Sequence, residues 1–207
     1  AVTFDDGFRD NCEVAAPILA RYGIPATFYV TAGCLEANVP PWYCRLRYAF
    51  HAAPDEPWTD PDGGGAWDLG DDAARSEAML AAMRRCAAMA GVRQQEWVAS
   101  IERSLAVPLS PQMDQLMLQP GQIVALRAAG HAIGSHTMTH PNLAHIPADD
   151  VRRELRDSKK VLEACLGEPV KHFSYPNPSL TPNWSPQTRA ITEELGYRTA
   201  VTCDCRR

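Results

Sequence analysis

The chain lacks any apolar run of the roughly 18 residues that a membrane-spanning helix needs. It also lacks an excess of positive charge, because its 25 acidic residues outnumber its 20 Lys and Arg and leave a formal net charge of −5. A basic surface is the usual electrostatic footprint of a protein that binds nucleic acid or an anionic membrane. The sequence therefore gives no reason to expect either partner.

The seven cysteines include no C-x-x-C pair, and an odd number of thiols cannot all form disulfides within one chain. Free or buried thiols in a reducing compartment are the simplest interpretation, which favours the cytoplasm. The chain opens at Ala1 inside a predicted strand, so we expect further sequence upstream. A length of 207 residues with 45% hydrophobic residues is typical of one globular domain.

Short β-branched runs alternate along the chain with stretches of helical periodicity, and this alternation predicts a parallel α/β fold. Strands are expected at residues 2–4, 26–31, 132–134, 170–175 and 197–202. Helices are expected at residues 14–22, 123–129, 149–166 and 188–195. A glycine follows each of these helices, and glycine is the residue that most often ends a helix.

The middle of the chain, residues 36–120, is predicted to be a mostly helical insertion within a single domain that spans residues 1–207. Apolar residues recur there at helical spacing, in a methionine-rich stretch and again in a tryptophan-containing one. They are Met79, Met83 and Cys86 in the first stretch and Trp97, Ile101 and Leu105 in the second. Residues 54–72 are rich in proline, aspartate and glycine, so we expect an irregular or disordered loop there.

Two adjacent acids, Asp5 and Asp6, follow the first predicted strand. Alternate residues of a regular strand face opposite ways, so the two can share a site only if the backbone turns between them. Gly7 permits such a turn because it has no Cβ. A metal ion that takes one carboxylate would leave the other free to act as a base. A solvated Asp-Gly turn is the alternative interpretation.

Two histidines, His136 and His140, follow the third predicted strand. Their i, i+4 spacing predicts that both rings lie on one face of a helical turn, which should end before Pro141. One carboxylate and two histidines form a ligand set for a divalent metal such as Zn²⁺. A metal that activates water beside a free base is the apparatus of hydrolysis. A pair of half-buried structural histidines is the alternative.

Three segments, in this order along the chain, resemble the polysaccharide deacetylase family, the NodB-homology domain of carbohydrate esterase family 4. They are Thr3-Phe4-Asp5-Asp6-Gly7, Ser135-His136-Thr137-Met138-Thr139-His140-Pro141 and Phe173-Ser174-Tyr175-Pro176. The resemblance covers about residues 1–50 and 118–203. It implies an α/β fold, a distorted (β/α) barrel of the NodB type with about seven strands when complete.

The resemblance also implies roles for the matching residues. Asp5 would be the catalytic base, while Asp6, His136 and His140 would hold a divalent metal. Zinc is the first choice, and cobalt and nickel are accepted by the same kind of ligand set. Water and substrate oxygens would fill the other coordination positions.

The third segment carries the other implied contacts. Asn177 falls where the family offers a backbone N–H to the tetrahedral oxyanion. Tyr175 and Pro176 would contact the substrate. Where Ser174 and Pro178 stand, the family often has an arginine and a glycine, so this chain resembles the subset with Phe-Ala-Tyr-Pro.

The implied function is metal-dependent removal of acetyl groups, mainly N-acetyl, from a polysaccharide or glycan. The family's late histidine, a general acid, has no counterpart because no histidine follows His172. Either the chain stops short of that motif, or another group or water donates the proton. An allantoinase-like amidohydrolase and a truncated, non-catalytic domain that binds metal or glycan stay open as alternatives.

Overall fold

A parallel sheet of short strands carries the fold, with the order β1–β2–β5–β6–β7. Its strands are β1 Val2–Phe4, β2 Ala26–Val30, β5 Ala132–Ser135, β6 His172–Ser174 and β7 Thr199–Val201. The computed structural model describes residues 1–37, 39–108, 113, 115–176 and 180–203, with only the backbone of residues 36–37. All pairings in this sheet are parallel, which confirms the predicted α/β fold.

Helices of both ends of the chain pack on the sheet and bury its aromatic side chains. They are α1 Ala16–Arg21, α2 Ala32–Ala37, α6 Pro120–Ala128, α7 Ala148–Leu166 and α8 Pro186–Glu194. Phe28 and Phe173 of the sheet share a core with Leu126 of α6 and Leu155 of α7. Helix α7 ends where the sequence predicts, because Gly167 adopts the left-handed conformation that closes it.

The middle of the chain forms a second layer with its own hydrophobic cluster, which we call the α3–α5 segment (residues 42–105). It contains α3 Trp42–Ala52, β3 Pro57–Thr59, β4 Ala66–Asp68, α4 Asp72–Ala87 and α5 Gly91–Ser104. Arg45 of α3 forms a two-pronged, largely buried ion pair with Glu102 of α5, at 2.8 and 2.5 Å. This pair fixes the orientation of the two helices, since a bidentate guanidinium accepts few geometries.

The expected irregular loop over residues 54–72 is wrong where β3 and β4 pair as an antiparallel hairpin. Trp58 is only 7% exposed and stacks on Trp67 with ring centroids 5.7 Å apart. Its indole N–H donates to Ser104 Oγ at 2.9 Å. Burial of aromatic surface thus outweighs the turn-forming composition of this stretch.

Among the helices that the structure describes, none combines the length and the apolar character needed to cross a bilayer.

Two neighbouring residues of α1 give a matched test of the core, because leucine and isoleucine are isomers. Leu19 is 8% exposed and packs in the sheet core, whereas Ile18 is 50% exposed. We expect Leu19→Ala to lower the free energy of unfolding by about 2–4 kcal/mol. Ile18→Ala should change it by about 0.5 kcal/mol or less. Urea titrations followed by circular dichroism would measure both, and equal losses would contradict the assigned packing of α1.

Candidate active site

The carboxyl ends of the parallel strands meet at one edge of the sheet, and the motif residues lie there. Asp5 and Asp6 follow β1, His136 follows β5, and Tyr175 follows β6. These residues, with His140, line one cavity of about 470 Å³. The structure therefore brings together segments that are more than 130 residues apart in the sequence.

A turn directly after β1 brings both acids to this cavity, as the sequence predicts. Asp6 and Gly7 both adopt positive φ angles, 72° and 81°. A Cβ atom at Gly7 would lie 2.9 Å from Val30 Cγ1, so only glycine fits this position without displacing β2. The left-handed Asp6 breaks the strand alternation that would otherwise turn the two side chains to opposite faces.

The expected helical turn over His136 and His140 is wrong, because the two residues lie in an irregular loop after β5. Thr137 and His140 adopt left-handed φ angles of 69° and 59° within it. The proline at position 141 restricts only His140, whereas the departure begins at Thr137, and the next two backbone N–H groups, of Met138 and Thr139, donate to a side chain of another helix instead of to helical carbonyls. The rings nevertheless come together, with centroids 4.9 Å apart.

Asp6, His136 and His140 each turn one possible ligand atom toward a common point, and these atoms lie within 4.8 Å of one another. Asp6 Oδ1 is 3.4 Å from His136 Nε2 and 3.1 Å from His140 Nε2. Burial opposes the charge of Asp6, but the neighbouring His140 and His136 outweigh it and lower the pKa of Asp6 to about 2. One anionic oxygen and two imidazole nitrogens are a donor set that suits a divalent metal.

The protonation of His136 supports this fit. Its Nδ1 lies 2.8 Å from the carbonyl oxygen of Ser174 and donates to it, which leaves Nε2 as a lone pair facing the site. Burial, together with the adjacent His140, lowers the pKa of His136 to about 3, so the ring is neutral. Asp6 Oδ1 is buried and lies 3.4 Å from His136 Nε2. Two electron-rich atoms thus face each other, an arrangement that a cation between them would stabilise.

Asp5 is held apart from the three possible ligands. Ser174 Oγ donates a hydrogen bond of 3.2 Å to Asp5 Oδ2. Burial and the charge of Asp6 raise the pKa of Asp5 above its usual value, while the Ser174 bond lowers it in part. A half-buried carboxylate with a raised pKa is a better proton acceptor than a solvated one. Ser174 thus orients this acid, in the place where the family often has an arginine.

Helix α7 fixes the loop that carries the two histidines. Glu154 is only 3% exposed, and its Oε2 accepts backbone N–H bonds from Met138 and Thr139, each at 2.8 Å. Its Oε1 accepts from the Thr139 hydroxyl at 2.7 Å. Gly33 at the start of α2 packs closely against the same loop. A Cβ atom at position 33 would lie 2.5 Å from the Met138 carbonyl oxygen, so only glycine fits there without a shift.

The α3–α5 segment contacts the opposite side of this loop. The indole N–H of Trp42 donates to the His140 carbonyl at 2.9 Å, and the Tyr43 ring lies 5.0 Å from the His140 ring. Burial and the charge of Asp6 raise the pKa of Tyr43, so its phenol stays protonated. At the end of α4, the Ala87 carbonyl accepts from the Asn142 backbone N–H at 2.7 Å.

The remaining predicted site residues come from the third segment. Tyr175 lines the cavity, and its hydroxyl pairs with Thr192 Oγ1 at 3.3 Å. Pro176 is buried. Asn177 lies outside the described residues, so its contact with the oxyanion stays a prediction.

Several residues of this site were not predicted from the sequence. Glu154 has the spacing of the apolar stripe of α7, three residues after Val151 and directly before Leu155. An acid on a buried stripe is the signal that could have identified it. Trp42 and Tyr43 carry no such signal, because their contact with His140 spans nearly 100 positions.

Comparison with known proteins agrees with this geometry. A family model described as polysaccharide deacetylase matches residues 1–200. A chitooligosaccharide deacetylase from Azorhizobium caulinodans is 36% identical over 70 residues, which is 33% of this chain and 31% of that protein. The chain thus spans about a third of the length of this curated relative.

Solved structures show the same fold. A deacetylase from Streptococcus pyogenes, in complex with acetate, matches with a TM-score of 0.54 and 19% identity, over 95% of this chain and 52% of that one. A polysaccharide deacetylase from Bacillus cereus matches with a TM-score of 0.50 and 18% identity, over 96% and 38% of the two chains. The resemblance first noted in three short segments extends over nearly all of the sequence, and the chain belongs to the polysaccharide deacetylase family.

Proposed function

We propose that this chain catalyses the metal-dependent removal of acetyl groups, chiefly N-acetyl, from a polysaccharide or glycan. The observation that carries the proposal is the convergence of Asp5, Asp6, His136 and His140 on one cavity in a chain of this family. The similarity to a chitooligosaccharide deacetylase supports an acetylated sugar as substrate. We further propose that residues 1–207 form one domain, with residues 36–120 inserted in it.

Asp6, His136 and His140 would hold the metal, with zinc as the first choice and cobalt or nickel as alternatives. A divalent ion bound there would lower the pKa of a water molecule and polarise the acetyl carbonyl. His136 is prepared for this role because its Nδ1–H is already bound to the Ser174 carbonyl, which directs Nε2 to the site.

Asp5 would take the proton from the attacking water. The hydrogen bond from Ser174 engages Oδ2, and Oδ1 would receive that proton. When the C–N bond breaks, the leaving amine needs a proton, and the protonated Asp5 is positioned to return it.

Acetate release from three substrates tests the proposal directly. We expect the zinc-loaded protein to deacetylate N-acetylglucosamine oligomers, with little action on acetylxylan and none on allantoin. Hydrolysis of allantoin alone would favour a small-molecule amidohydrolase. Bound metal without turnover of any of the three substrates would favour a non-catalytic domain.

Metal content tests the three proposed ligands. We expect about one divalent ion per chain in the wild type and little in His136→Ala, because an imidazole ligand is lost. His145→Ala is the matched control, since His145 is exposed and lies in the short helix Leu143–His145 outside the cavity. Elemental analysis after dialysis would measure all three proteins. Equal metal content in the wild type and His136→Ala would refute the assigned site.

Amide substitutions separate the two acids. Asp5→Asn should keep the metal and lose about 10²–10⁴-fold in kcat, since an amide cannot accept the proton. Asp6→Asn should weaken metal binding first, and excess metal should restore part of its activity. Metal titrations and initial rates would distinguish the two variants. Loss of metal from Asp5→Asn with retention by Asp6→Asn would reverse the assigned roles.

A further inference from the structure

Two arginines of the α3–α5 segment, Arg47 and Arg84, line the same cavity as the acids and histidines. We infer that they form a subsite for a carboxylate substituent on the acetylated glycan, an inference that rests on the proposed deacetylase function. The acetamide group itself is neutral, so its hydrolysis gives no reason for two guanidinium groups in this wall.

The position of Arg47 follows from the anchoring of α3. Trp42 and Tyr43, at the start of this helix, contact His140 directly. Arg47 is four residues after Tyr43, so it lies on the same face one helical turn farther from the proposed metal site. Its side chain is exposed.

The position of Arg84 follows in the same way from the end of α4. The Ala87 carbonyl accepts a hydrogen bond of 2.7 Å from the Asn142 backbone N–H, at the end of the loop that carries the two histidines (residues 136–142, the histidine loop). Arg84 precedes Ala87 by three residues and lies on the same face of α4. Leu80, a turn earlier on α4, also lines the cavity and is 47% exposed. Both arginines therefore stand about one turn, roughly 5 Å along a helix axis, from contacts with the histidine loop.

Neither arginine has an acidic partner within the part of the chain that the structure describes, although the charge of Arg47 acts on the nearby Cys44 thiol. No ion pair or hydrogen bond joins Arg47 or Arg84 to another described residue. Other arginines of the same segment are paired: Arg45 with Glu102, Arg75 with Asp55, and Arg85 with Asp60 and Asp62. Asp5 and Asp6 lie in the same cavity, but Asp6 is paired with His136 and His140 and no ion pair joins either acid to these arginines, so both guanidinium groups are available to an anionic ligand.

The chemistry of guanidinium selects the ligand class. Its planar fork binds a carboxylate through two parallel hydrogen bonds, which a neutral hydroxyl or acetamide cannot match. A cavity of about 470 Å³ exceeds what one acetyl group fills and falls in the range of sites that hold larger ligands. Leu80 and Met83 line it between charged groups and offer apolar contact to a sugar ring.

A matched pair of substrates tests the subsite. The first is a tetrasaccharide of alternating N-acetylglucosamine and N-acetylmuramic acid, which carries a lactyl carboxylate, and the second is its methyl ester. A hyaluronan tetrasaccharide places the carboxylate on the neighbouring sugar instead and distinguishes the two sources of the same charge. We expect the wild type to prefer the free acid over the ester in kcat/KM by about 3–10-fold, because each guanidinium is exposed and exposed ion pairs are weak.

Arg47→Gln and Arg84→Gln should each reduce this acid-to-ester ratio, and the double variant should bring it close to one. Raising the salt concentration should reduce the wild-type ratio too, because the groups are exposed. Arg103→Gln is the matched control, since Arg103 is an exposed arginine of the same segment that does not line this cavity. An equal ratio in the wild type, the double variant and the control would overturn the inference. The inference would also be overturned if the two arginine substitutions changed only the inhibition by the product acetate.

Failure of the deacetylase proposal is distinguishable from failure of the subsite. Absence of acetate release from every substrate, neutral oligomers included, would refute the deacetylase function. Calorimetric binding of the acid and the ester to Asp5→Asn, with and without the two arginine substitutions, measures the subsite without turnover. Tighter binding of the acid that depends on Arg47 and Arg84 would support it, and equal binding of acid and ester would overturn it.

Discussion

The rest of the site depends on the hydrogen bonds that the Glu154 carboxylate accepts. This carboxylate accepts two backbone N–H groups and one hydroxyl from the loop that carries both histidines. In that loop Thr137 and His140 have left-handed backbone conformations, which residues other than glycine adopt rarely. A buried acid that satisfies several donors at once makes this conformation the stable one, since each donor would otherwise be buried without a partner.

The histidine loop is held by hydrogen bonds to two different parts of the chain, helix α7 and the α3–α5 segment. Helix α7 holds it through Glu154, which accepts the backbone N–H groups of Met138 and Thr139 between the two histidines. The α3–α5 segment holds it through Trp42 and Ala87 and supplies the wall of the cavity. Because the segment has its own hydrophobic cluster and the buried Arg45–Glu102 pair, it positions that wall as a unit. The two acids and the two histidines thus follow strands of the sheet, whereas much of the remaining cavity wall comes from the segment.

Local signals predicted most of the fold, and their failures have physical causes. Strand and helix positions on the sheet followed from periodicity and glycine stops, as the end of α7 at Gly167 shows. The helical turn over the two histidines failed because Thr137 is left-handed and the N–H groups of Met138 and Thr139 bind Glu154, a contact that spacing does not report. The hairpin of β3 and β4 was missed because composition does not report that Trp58 is buried against Trp67. The stripe of α7 indicates that Glu154 is buried but not which groups it contacts, and the bond from Trp42 to the loop joins residues 98 positions apart, which no local pattern specifies.

The anchoring of the α3–α5 segment has a consequence for how such sites diversify. Two hydrogen bonds from the segment to the histidine loop use backbone groups of that loop, the His140 carbonyl and the Asn142 N–H. Backbone groups are present whatever side chains a neighbouring segment carries. A different segment that offers one donor and one acceptor at these two points could therefore be grafted in its place. The cavity wall would then change its selectivity while the imidazoles kept their positions, so recombination could create new specificities in a single step.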